Sequence, residues 1–117
     1  MSALSISVAP VPGGDGAGCV IRLAGEADIS TTSLRDALAA EVAAGPRLLL
    51  VEMSALTFID SGATQMIITA YRALREQGGT LALVSPSTMV ARVLGLLGVD
   101  QVIRVYGSIP EAVTSTR

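Results

Sequence analysis

The sequence predicts an α/β domain with a mostly parallel central sheet, an N-terminal hairpin and about four flanking helices. Three observations carry the prediction. Short apolar runs alternate along the chain with stretches whose apolar residues recur at helical spacing. The interior runs, such as Arg47 to Met53 and Thr80 to Val84, are apolar nearly throughout, as strands covered on both faces are. Helices separate successive interior runs, and such crossover connections imply parallel pairing.

Leu4 to Ala9 and Cys19 to Leu23 alternate apolar with small or polar residues, and the Pro- and Gly-rich stretch from Pro10 to Gly18 joins them as a hairpin. That stretch lacks the Gly-Lys-Ser/Thr ending of a phosphate-binding loop and no helix pattern follows it, so a hairpin tip is the better reading. Ser30-Thr31-Thr32-Ser33 supplies capping side chains for a helix with Leu34, Ala37, Leu38 and Val42 on one stripe, closed by Gly45-Pro46. A second helix follows Asp60, with Ile67, Ala70, Tyr71 and Leu74 on one face and Gly78-Gly79 as its stop. Ser85-Pro86 reads as the start of a third, because serine can cap a free amide and proline needs no donor in the first turn. Met89, Val90, Val93, Leu94 and Leu97 mark its inner face. A last strand, Val102 to Tyr106, precedes Ser108-Ile109-Pro110-Glu111, whose Ser-x-x-Glu spacing is that of a capping box opening a short final helix.

The 117 residues, half of them apolar, suit one domain over residues 1–117. A formal charge of −2 draws the chain toward neither nucleic acid nor an anionic membrane. No apolar stretch reaches the 18 or so residues of a membrane span, and Met1 to Pro10 has no basic residue ahead of an apolar core, so no secretory signal is read. The single Cys19 cannot form an internal disulfide, which makes a reduced, cytoplasmic protein the expectation. The chain has neither His nor Lys. That removes the commonest general base, the commonest metal ligand and the Schiff-base amine together, so no metal and no cofactor are expected.

Two segments concentrate the polar chemistry. Gly25-Glu26-Ala27-Asp28-Ile29-Ser30-Thr31 joins the second strand to the first helix. Val51 to Gly62, ending in Phe58-Ile59-Asp60-Ser61-Gly62, joins the third strand to the second helix. Asp60-Ser61-Gly62 stands where a buried strand turns into a helix, with free amides and the positive end of the helix dipole facing outward. A phosphoryl group on Ser61 would add about −1.5 to −2 charges beside Asp60 and could abolish docking of a partner. The plainer reading makes Asp60 a helix cap and Ser61-Gly62 a tight turn.

The first segment resembles the Gly-Glu-x-Asp signature, and the second the strand, Phe-x-Asp-Ser-Ser/Thr-Gly, helix signature, of STAS-domain anti-sigma factor antagonists. The resemblance extends through Gly78-Gly79 and Ser85-Pro86 and covers nearly the whole chain beyond Cys19. It implies a STAS fold and a binding switch rather than an enzyme. In the family an anti-sigma factor with a kinase-type ATPase fold phosphorylates the antagonist, a phosphatase reverses this, and the unmodified form binds the kinase and frees a sigma factor. An ungapped match puts Gly62 at the family phosphoacceptor position and Ala63 at the family glycine, so the usual acceptor hydroxyl is missing. The chain would then stay unmodified and bind constitutively or take its signal elsewhere, and a serine at 62 would be expected to restore the acceptor. Sliding the match by one makes Ser61 the acceptor. The ungapped match is favoured because the distance from Asp60 to Gly78-Gly79 then fits the usual helix.

On this reading Asp28, Asp60, Ser61, Gly62 and Gln65 form the partner-binding surface, with Arg72 and Arg75 projecting farther along the helix. Ser61 is the phosphorylation candidate. A STAS subunit of another assembly, in stress signalling or lipid transport, is the alternative binding role. A small enzyme using Ser61 or Cys19 as nucleophile would need a carboxylate as its base and lacks the Gly-x-Ser-x-Gly setting. Cys19, beside Val20 and Ile21, reads as a small buried side chain. Nucleotide binding has no visible phosphate-gripping motif behind it.

Overall fold

A computed structural model describes residues 3–12 and 18–116. Strands β1 (Ser5–Pro10) and β2 (Gly18–Ala27) pair antiparallel, from Ser5 opposite Ala24 to Pro10 opposite Cys19. The expected hairpin is therefore present, while its tip, residues 13–17, lies outside the described residues. Helix α1 (Thr32–Ala44), β3 (Leu48–Ile59), α2 (Ser61–Glu76), β4 (Thr80–Val84), α3 (Thr88–Leu96), a 3-10 turn (Val99–Gln101), β5 (Val105–Tyr106) and α4 (Ile109–Ser115) follow. The sheet order is β1-β2-β3-β4-β5, and every pairing after the first is parallel.

Each parallel strand is laid down beside the one before it, always in the same direction. Right-handed crossovers then put every connecting helix on one face. The period of two along the strands sorts the core accordingly. Leu49, Val51, Met53, Leu81 and Leu83 pack with Leu34 and Leu38 of α1, Ile67 and Leu74 of α2, and Val90 and Leu94 of α3. On the opposite face Leu50, Ala82 and Val84 pack with Ala112 of α4.

Three boundaries and one cap differ from the sequence reading. Strand β3 runs on past Met53 to Ile59, because β2 continues beside it to Ala27. Helix α1 starts at Thr32, within the expected capping run, but Thr31 makes no capping bond because its hydroxyl serves Asp28. Helix α3 starts at Thr88, not at Ser85-Pro86. Ser85 takes a left-handed φ of 53° and its hydroxyl donates to the Gly107 carbonyl at 2.6 Å, while Ser87 caps the Val90 amide at 3.3 Å. With the helix so placed, Met89 and Leu97 are 60% and 46% exposed, and only Val90 and Leu94 of that stripe are buried. The last strand shrinks to Val105–Tyr106: the 3-10 turn buries Val99 and Ile103 instead and leaves Val102 outside.

Candidate functional site

The site is built at the carboxyl ends of β2 and β3, the two longest strands. They stay paired to their last residues, Ala27 opposite Ile59, so Asp28 and Asp60 emerge side by side although 32 positions of sequence separate them. The chain reaches this point through an irregularity. The register shifts between Arg22 and Ala24 and again between Gly25 and Glu26, and Gly25 has φ +102°, where an L side chain is strained. A Cβ on Gly25 would also stand 2.3 Å from the Ala3 carbonyl oxygen. The glycine of the first segment is thus required by the backbone.

Asp28 folds the turn that follows it. Its Oδ1 accepts from the Ser30 amide at 2.9 Å, the Ser30 hydroxyl at 2.5 Å and the Thr31 hydroxyl at 3.2 Å, while its own amide donates to Thr31 Oγ1 at 3.2 Å. The Ser30 hydroxyl, the Ser30 amide and then the Thr31 hydroxyl hold the Asp28 carboxyl below its ordinary value, so it is ionised at neutral pH. Asp28 thus organises its own loop.

Asp60 joins the two segments. Its amide donates to the Ala27 carbonyl at 3.2 Å, tying the strand ends together. Its Oδ1 accepts from the Ala63 amide at 2.8 Å and so caps α2, and its Oδ2 accepts from the Ile29 amide of the other loop at 3.1 Å. Its carbonyl accepts from the Thr64 hydroxyl at 2.7 Å, which accounts for that buried polar side chain. Asp60 is therefore both the cap of α2 and the link between the two loops.

Ser61 is the first residue of α2 and is exposed, and its hydroxyl has no hydrogen-bond partner among the described residues. Gln65, one turn on, is exposed on the same outer stripe, as are Arg72 and Arg75 farther along. Arg75 is engaged with its own helix: its Nη1 donates to Tyr71 Oη at 3.3 Å and its guanidinium lies 5.8 Å above that ring. Gly62 lies under Ile29. A Cβ at position 62 would meet the Ile29 Cβ at 2.5 Å, Cγ1 at 2.6 Å and Cδ1 at 2.8 Å. The room that a serine at 62 needs is thus filled by a neighbouring side chain.

Sequence reasoning missed Ile29. It is 71% exposed, and Phe58, on the strand leading to Asp60, is 40% exposed. The available signal was one aliphatic residue within the polar run Asp28-Ile29-Ser30-Thr31, where no core position exists for it.

Cys19 lies elsewhere, at the start of β2. It is half-buried rather than buried, and its thiol donates to Glu41 Oε1 at 3.0 Å. Burial, and then the hydrogen bond and charge of Glu41, push the thiol up to about 12. Maleimide or Ellman's reagent at pH 8 should therefore label the folded chain far more slowly than the denatured chain, and equal rates would remove the Glu41 contact. No group of three or more metal-ligating side chains occurs among the described residues, and none of their helices is long and apolar enough to cross a membrane.

Comparison with known proteins places this geometry. Residues 8–112 match the model of the STAS domain family. A crystal structure of an anti-sigma factor antagonist from Mycobacterium paratuberculosis superposes with a TM-score of 0.86 at 25% identity, over 98% of this chain and 95% of that one. A Thermotoga maritima structure of a protein described in the same terms gives 0.84 at 25% identity, over 96% and 94%. The antagonist SpoIIAA in its unphosphorylated form, at 21% identity and a TM-score of 0.77, shares the fold. A Thermotoga maritima sequence of the same description is 33% identical over 73 residues, which are 62% of this chain and 65% of that protein. The match thus spans less than two thirds of that curated relative, whereas the family match extends from β1 into α4 and takes in both polar segments. The chain belongs to the STAS domain family.

Proposed function

We propose that this chain is an anti-sigma factor antagonist. It docks on an anti-sigma factor with a kinase-type ATPase fold, frees the sigma factor that partner holds, and does so in the cytoplasm without catalysing a reaction itself. The docking surface comprises Asp28, Asp60, Ser61, Gly62 and Gln65, with Ile29 as its exposed apolar element. The observation that carries this reading is Asp60, which caps α2 with one carboxylate oxygen and holds the Ile29 amide with the other. The names of relatives from Mycobacterium paratuberculosis and Thermotoga maritima supply the class of partner.

Phosphorylation, where it occurs, is on Ser61, the exposed hydroxyl of the turn, and a phosphatase would restore the docking form. A dianion there adds charge to a rim that already holds two carboxylates, which repels a partner selected for the unmodified surface. A catalytic role for the same serine has little chemical support. Asp60 spends both oxygens on backbone amides, and the Cys19 thiol stays protonated.

The test is affinity capture from an extract of the protein's own cells. The tagged chain should retain an anti-sigma factor of the ATPase fold, and Asp60→Ala, confirmed as folded by circular dichroism, should retain much less. Folded wild type that captures no such protein, or equal capture by both, would count against the proposal.

A further inference from the structure

We infer that Ile29 is a steric lock on position 62, so that the docking turn is closed to any side chain there, including one that would carry an acceptor hydroxyl. The inference rests on the proposed docking surface and concerns how that surface is regulated. Gly62 sits in the first turn of α2 with an ordinary helical backbone and no positive φ. Nothing in its own conformation calls for glycine, and alanine or serine in a first turn ordinarily stabilises a helix relative to glycine.

The exclusion comes from across the site. The three heavy atoms nearest a Cβ at 62 all belong to Ile29, and the nearest of them, at 2.5 Å, is the Ile29 Cβ. That atom is fixed to the backbone and cannot swing aside as the end of a side chain can. The backbone behind it is also held, by the Ile29 amide on Asp60 Oδ2 and by the Asp28 carboxylate bonds to Ser30 and Thr31. A hydroxyl-bearing residue at 62 would have to push the 28–31 loop off α2 and break the bond to Asp60. Replacing Gly62 by serine therefore does not by itself recreate an acceptor in this turn.

The lock makes a prediction about sign. In the wild-type background Gly62→Ala should lower the melting midpoint, by about 5 to 10 °C, and should speed hydrogen exchange at the Ile29 amide. In an Ile29→Gly background, which removes all three clashing atoms, the same Gly62→Ala change should raise the midpoint, because only the helix propensity gain is left. Gly62→Ser should behave in parallel in both backgrounds, and a single variant too unstable to purify leaves its Ile29→Gly partner as the readout. Equal shifts in the two backgrounds, or a Gly62→Ala midpoint and Ile29 exchange rate matching wild type, would overturn the lock. Every measurement uses the chain alone, so failure to find an anti-sigma factor partner would count against the proposed function and leave this result standing.

Discussion

Leu94→Ala should destabilise the protein by about 2 to 5 kcal/mol in urea melts, the range for removing a leucine from a closed core. Leu94 is 2% exposed and packs, with Val90, into the core that the sheet shares with α1 and α2. Because Leu94 lies within a cluster of buried apolar side chains, the cost is that of lost contacts and the void left behind. Arg75→Ala is the control. Arg75 is exposed, and its hydrogen bond and cation–π contact with Tyr71 lie in solvent, where such pairs are worth about 0.5 to 1 kcal/mol. If Arg75→Ala proved the more costly, the inner and outer faces of these helices would be misassigned.

Gly25→Ala should be of similar size, about 2 to 4 kcal/mol, for a different reason. Two costs coincide: a left-handed backbone for an L residue, and overlap of the new Cβ with the Ala3 carbonyl oxygen at 2.3 Å. The overlap involves backbone on both sides, so rotamer change cannot relieve it. Because Gly25 lies where β2 shifts register on its way to Asp28, the variant should also disturb the 28–31 loop. A variant melting within about 0.5 kcal/mol of wild type would show that the irregularity tolerates a side chain and that the glycine of this segment has another cause.

Much of the fold was legible because local and global signals agree in it. Asp60 before an amphipathic run, the left-handed Gly45 after one and the Ser108 cap all behave as their sequence context suggests. In the last case the match is partial: Ser108 caps the Glu111 amide, while Glu111 reaches back to the Gly107 amide rather than to Ser108. Elsewhere tertiary contacts overrode the local signal. Ser85 and Ser87 are both competent caps, and only the turn needed to bring β4 toward Gly107 assigns one to the loop and the other to the helix. The stripe ending at Leu97 has the right period for a buried face, yet α3 ends at Leu96 and Leu97 is left half outside.

The two segments of the candidate site and their grouping on one surface were legible from the motifs, but the contacts that join them were not. Asp28, Asp60, Ser61, Gly62 and Gln65 can each be singled out by motif or spacing. Pairing Ala27 with Ile59 is a property of the sheet register, and it is this pairing that brings Ile29 onto Gly62 and onto the Asp60 carboxylate. A glycine whose cause lies on another loop looks, along the chain, like one that only eases a turn.

The most direct measurement is a calorimetric titration of the chain, as wild type and as Ser61→Asp, against the anti-sigma factor it captures. An acidic residue at the first position of α2 favours the helix dipole, so the substitution should leave folding stability intact and isolate the effect on docking. Wild type should bind, and Ser61→Asp should bind at least about tenfold more weakly, a loss of roughly 1.4 kcal/mol or more. Equal affinity of the two proteins would take the Asp60-Ser61-Gly62 turn out of the binding surface and leave docking to some other face of the domain.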